Sequence, residues 1–278
     1  MALQPEEDRG TTDTMKIRIA LFILAFTLLP PASSAAEALK PVERLEKIRN
    51  EYPLGEVTPL LEKRVFAPTN NQRKILTYFW HAPAQPYPEG LLFPLVVVLH
   101  DSSGFAFAAE SLVRDDMMRA FPSFIMVPAL SEKSVWADPQ QKHDKYEALL
   151  DLAELTKTLV FRFKIDPQRI YVIGCAEGGT GVFGSALLLP DLFAAGIAIS
   201  GEWNERFAPK MAKMPLWAIH GAEDKLVPPD ANRNLIAAIN KNGGKAYYTE
   251  VKGMGKNCPS ESLYTPEIWS WMFRQSRP

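Results

Sequence analysis

The sequence predicts an α/β fold built on a mostly parallel central sheet flanked by helices. Three observations carry that prediction. Short apolar, β-branched runs bounded by Pro and Gly alternate with segments of helical periodicity, the pattern of a parallel sheet. Two of the runs, 95–99 and 170–173, are apolar throughout, as strands covered on both faces are. The composition is that of an ordinary globular chain: 278 residues, 47% hydrophobic, 23% charged, formal net charge −1. Intrinsic disorder and a disulfide framework are excluded by those figures and by only 2 cysteines. The near-neutral balance lacks the basic excess that draws in phosphate backbones, so no nucleic-acid partner is expected.

From the first residue onward, the elements follow in order. Lys16 and Arg18 precede an apolar run over 19–29, broken only by Thr27, and then Pro30, Pro31 and the small residues Ala32 to Ala36. This is the grammar of a secretory signal peptide over 1–36, with a run too short to cross a bilayer. The acidic residues before Met15 are foreign to such a segment and leave Met15 open as the start. Export to the periplasm or medium is expected, with no membrane span after cleavage. Cys175 and Cys258 would then meet an oxidising compartment. Residues 37–62 read as a charged, proline-broken lead-in with one short helix near 42–49. Residues 63–278 read as a single domain.

Within that domain the strand signals are 75–80, 95–99, 124–127, 170–173, 194–199, 216–219 and 246–251. Leu149, Leu152, Ala153, Thr156, Leu159, Val160 and Phe163 recur at helical spacing and form one face. Further helices are expected at 178–188, at 231–240 with Gly243 just past the end, and at 266–275.

Segment 170–179, IYVIGCAEGG, is an apolar strand running into a Gly-rich turn and a helix. That is the frame of G-x-S-x-G, where the glycines allow a tight strand-to-helix turn and the central serine stands beside backbone N–H groups that hold an oxyanion. Gly174 and Gly178 are present, and Ala176 occupies the centre. On this motif the chain resembles the α/β-hydrolase superfamily, in particular its secreted esterase and predicted-peptidase branch, which includes feruloyl esterases and polyhydroxybutyrate depolymerases. FPLVVVLH over 93–100 followed by Gly104, DPQRIY over 166–171 and PDLFAA over 190–195 are similar to further motifs of that branch.

The resemblance implies the rest of the site. IHGAEDKLVP over 219–228 is similar to the acid loop and puts Asp224 at the triad carboxylate. GMGKNC over 253–258 is similar to the loop that supplies the histidine, with Lys256 in its place. The oxyanion-hole backbone falls at Ser102 and Glu177. The chain has 4 histidines and none after His220, although the superfamily order is Ser, acid, His. Two of three triad positions therefore hold the wrong residue. Loss of the nucleophile alone costs on the order of 10⁶ in kcat in a serine protease. An ion pair between Lys256 and Asp224 is expected. Because the histidine loop must touch the elbow, a Cys175–Cys258 disulfide is also expected, against the plainer alternative of two buried thiols.

Other groups carry side chains capable of chemistry or binding. Ser102 or Ser103 could be recruited by His100 or His220, Glu177 could serve as an acid or base, and Trp136 and Trp203 could line a cleft, whereas Trp217 reads as core and His143 as a loop residue. No zinc spacing, P-loop or dinucleotide fingerprint occurs, so no cofactor and no metal are expected. The function expected is an exported pseudohydrolase of the serine esterase/peptidase type that binds a small ester, a glycan or a protein partner. The alternative is an active carboxylic-ester hydrolase with an unconventional nucleophile.

Overall fold

The computed structural model describes residues 60–69, 76–101, 106–130, 134–140, 146–256, 258 and 263–278. The expected signal peptide, the helix near 42–49, Ser102, Ser103 and His143 lie outside the described residues. No helix among the described residues is long and apolar enough to cross a membrane.

Along the chain the elements are β1 (Glu62–Phe66), β2 (Leu76–His81), β3 (Phe93–Leu99), α1 (Phe107–Leu112), α2 (Asp115–Ala120), β4 (Phe124–Pro128), α3 (Glu147–Arg162), β5 (Ile165–Cys175), α4 (Glu177–Leu188), β6 (Ala195–Ile199), α5 (Ala208–Met211), β7 (Leu216–Gly221), α6 (Pro229–Lys241), β8 (Ala246–Val251) and α7 (Pro266–Phe273). They build one 8-stranded sheet in the order β1-β2-β4-β3-β5-β6-β7-β8. Strands β4, β3, β5, β6, β7 and β8 run parallel; β1 pairs antiparallel with β2, and β2 with β4.

Period-two alternation explains why the central strands read as unbroken apolar runs. In β3, Leu95, Val97 and Leu99 enter a core layer shared with Leu152 and Phe183 from α3 and α4, while Val96 and Val98 enter a second layer with Ala109 and Leu112 of α1 and Trp269 of α7. Both faces are covered, so neither set can be polar. The stripe on α3 is the predicted one: Leu149, Leu152, Ala153, Thr156 and Leu159 are all buried.

Four elements escaped the sequence reading, among them the 4-residue α5. β1, EKRVF, is an exposed edge strand with little apolar signal, and α1 and α2 are 6 residues each, too short to show a helical period.

The topology gathers one set of strand ends. Leu99 lies beside Gly174, Cys175 beside Ile199, and Ile199 beside Ile219, so the carboxyl ends of β3, β5, β6 and β7 open on one edge. In open parallel sheets this edge is where sites form.

Candidate active site

β5 ends at Cys175 and α4 begins at Glu177, so Ala176 alone reverses the chain. Its backbone has φ 52° and ψ −115°, a region that residues with a Cβ rarely adopt. Two hydrogen bonds hold it there. Its N–H donates to Ile199 O at 2.9 Å, and its carbonyl accepts from Thr180 N at 3.0 Å. The flanking glycines are dictated by contact: a Cβ on Gly178 would stand 2.0 Å from Leu99 O, and one on Gly174 2.4 Å from the Gly178 carbonyl. Strand and helix thus meet backbone against backbone. Glu177 opens α4, so its N–H is one of the first-turn donors with no partner inside the helix. The Ala176 side chain itself is a buried methyl.

Two strands away, β7 delivers the carboxylate. Asp224 Oδ1 accepts from Leu226 N at 2.9 Å and Val227 N at 3.0 Å, which folds the loop around the side chain. Asp224 Oδ2 lies 3.2 Å from His220 Nε2, with both side chains fully buried. His220 Nε2 donates to Val227 O at 2.9 Å, and its Nδ1 faces the Asn232 amide nitrogen at 2.6 Å. That amide also donates to Gly201 O at 2.8 Å. Both ring nitrogens of His220 are thereby engaged within the fold. His220 is a strut between β7, the acid loop and α6. His100 is equally committed: Nδ1 donates to Asp101 O at 2.6 Å and Nε2 accepts from Leu130 N at 3.1 Å. Neither ring has a nitrogen to spare for a serine.

The expected Lys256–Asp224 pair is not formed. Lys256 Nζ lies 3.7 Å from Glu177 Oε1, both side chains partly exposed. The physical reason is desolvation: Asp224 turns its lone pairs to its own loop and to His220, deep in the fold, whereas a lysine head pairs at lower cost near water. The two loops still touch, since Glu223 N donates to Met254 O at 2.9 Å.

Cys175 and Cys258 are joined, with their Cα atoms 5.6 Å apart and a separation of 83 positions in sequence. The bond ties the strand end just before Ala176 to the loop that carries Lys256. Trp136 borders a small pocket with Pro128, Leu130 and Leu152, and Trp203 packs against Phe207. Both are buried, and Trp136 Nε1 donates to His100 O at 2.9 Å. Trp217 is half-buried, packed edge-on against Trp271 at 5.5 Å.

Three residues near these strand ends carried no signal that sequence reasoning used. Asn232 is the amide that bridges His220 and Gly201. Ser200 sits at φ 47° at the end of β6, 1% exposed, its Oγ without a hydrogen-bond partner among the described residues. Tyr264 donates to Cys258 O at 3.4 Å, and burial together with the nearby Glu110 and Asp101 carboxylates pushes its phenol up. Glu110 is raised as well, by burial.

Comparison with known proteins agrees with this fold. No family model matches the chain. A protein of Oryza sativa subsp. japonica named as a carboxylesterase is 30% identical over 112 residues, 38% of this chain and 42% of its own length. NocK of Nocardia uniformis subsp. tsuyamanensis, an esterase by its name, is 28% identical over 248 residues, 85% of this chain and 64% of its own. The chain therefore spans less than two thirds of either relative. Among solved structures, a thermostable esterase superposes with a TM-score of 0.71 at 24% identity, covering 80% of this chain and 64% of that one. A ferulic acid esterase superposes at 0.59 and 14%, covering 77% and 97%. The chain has the α/β-hydrolase fold, and in sequence it is similar to proteins named as carboxylesterases and esterases.

Proposed function

We propose that the protein is an exported pseudohydrolase: an α/β-hydrolase scaffold that binds a small ester, a glycan fragment or a protein partner at the elbow and does not turn it over. The single observation that carries this reading is Ala176 at the elbow turn. Its backbone is held in the strained conformation that a nucleophile needs, and its side chain ends in a methyl group. A methyl has no lone pair with which to attack a carbonyl. Three further facts support it. The sequence has no histidine after His220, His100 and His220 have both ring nitrogens engaged, and Lys256 turns to Glu177 instead of Asp224. Oxyanion donors and an apolar surround can bind an ester without attacking it. Export is supported by the leader grammar and by a disulfide, which persists in oxidising compartments.

The test is binding without turnover. A thermal-shift series with aromatic esters and oligosaccharides is expected to find ligands that raise the melting temperature with concentration, as RT ln(1 + [L]/Kd) requires, and that are recovered intact. A burst of product from an activated ester, equal in amount to the protein, would overturn the reading. Slow background release would not, because a site without its triad retains roughly 10³ to 10⁴ over water.

A further inference from the structure

We propose that the protein has a second ligand site, at the end of the sheet opposite Ala176, that takes a small amphipathic carboxylate. A cavity of about 380 Å³ lies where α3, the start of β5 and the turn between α4 and β6 meet the C-terminal segment. That volume falls in the range of small-molecule pockets. Apolar walls come from Ala153 and Val160 of α3, Ile170 of β5, and Leu188 and Leu192 on either side of the turn.

Two cations stand among those walls, Lys157 and Arg277. Among the described residues neither has a carboxylate partner. The acidic residue in the lining, Asp191, is paired with Lys213. Arg277 is held rigidly: its guanidinium donates to the carbonyls of Asp191 and Pro167, and its backbone N–H donates to Gln168 O at 2.9 Å. A guanidinium carries five N–H donors, and the two carbonyls take only two of them. Arg277 is half-buried and, among the described residues, its charge is answered by carbonyl dipoles alone, whereas Lys157 is exposed.

The chemistry that answers all of these features is a carboxylate head on an apolar body. The head meets the fixed guanidinium, whose planar fork matches a carboxylate, and the flexible lysine supplies the second charge. The body covers the leucine and isoleucine walls. A purely structural Arg277, clasping the C-terminal segment to two loops, accounts for its two carbonyl bonds. It accounts neither for Lys157 nor for the space between them. The inference does not depend on whether the elbow is active.

Isothermal titration of the full-length protein with octanoate and with octan-1-ol tests it. One octanoate is expected per chain, with octanol weaker by about tenfold or more, since it lacks the charge-assisted hydrogen bonds. Arg277→Gln is expected to weaken octanoate by about tenfold and Lys157→Gln by roughly threefold, with octanol unmoved by either. Lys252→Gln, which removes an exposed cation just past the carboxyl end of β8, should leave both ligands unchanged. Lys157 is exposed, so its variant keeps the test decisive even where Arg277→Gln fails to fold. Absence of octanoate binding, equal affinity for acid and alcohol, or an octanoate affinity indifferent to Lys157→Gln would each overturn the proposal.

Discussion

Ala176 holds a conformation that glycine adopts freely and an L-residue adopts at a cost of roughly 1–3 kcal/mol. A structural turn under no other demand would relax, yet this one is over-determined by the close packing of Gly174 and Gly178 against backbone. Ala176→Gly is therefore expected to leave stability unchanged or to raise it by up to about 1 kcal/mol, the strain relieved being offset by unfolded-state entropy. Gly178→Ala is expected to cost roughly 2–4 kcal/mol, because its methyl would be driven into the Leu99 carbonyl. Urea denaturation of the two variants checks both. A second residue-scale expectation concerns Glu110, whose pKa burial raises. The folded state then holds a proton that the unfolded state releases, so this group's contribution is full below the unfolded value and declines as pH rises through the raised one. Glu110→Gln should stabilise the protein at pH 7 and have little effect at pH 4, again read by urea midpoints. At this scale the sequence was informative about residue types and silent about partners. The elbow glycines could be read from spacing, since backbone approach is local, and Asp224 was implied by the resemblance of its loop. Which group faces Asp224 could not, because it depends on the desolvation cost of one lysine against the reach of one histidine.

Among the elements, the β5–α4 elbow and the loop before α7 are fastened to each other by the Cys175–Cys258 bond. Closing a loop of 83 residues should restrict the unfolded chain by about 4 kcal/mol in the chain-entropy account. The double variant Cys175→Ser with Cys258→Ser is expected to lose up to that amount in urea unfolding while keeping its far-ultraviolet dichroism. The sheet and helices owe their existence to covered apolar layers that the bond does not supply. Elements with a strong period were legible: α3 by its stripe, β3 and β5 by unbroken apolar runs, and α6 by its stop at Gly243, which takes φ +83°. β1, α1 and α2 were not, since an exposed edge strand needs few apolar residues and a helix of 6 residues completes fewer than two turns.

Taken as a whole molecule, the fold places every element of the candidate site on one edge of one sheet and the carboxylate-binding cavity on the other. The parallel sheet was legible from strand–helix alternation, and its order was not, because β4 passes to the far side of β3 before β5 returns. Export belongs to this scale too. Expressed with its leader in a bacterial host, the periplasmic protein is expected to have a mass lacking residues 1–36, whereas an intact leader would speak for a retained anchor. The central claim is that the elbow of this hydrolase scaffold binds without attacking. Its most direct test is intact-protein mass spectrometry after incubation with an aryl fluorophosphonate. The account predicts that the wild-type chain gains no adduct. One stoichiometric adduct on the wild-type chain, mapped to any serine at the carboxyl edge of the sheet, would contradict it.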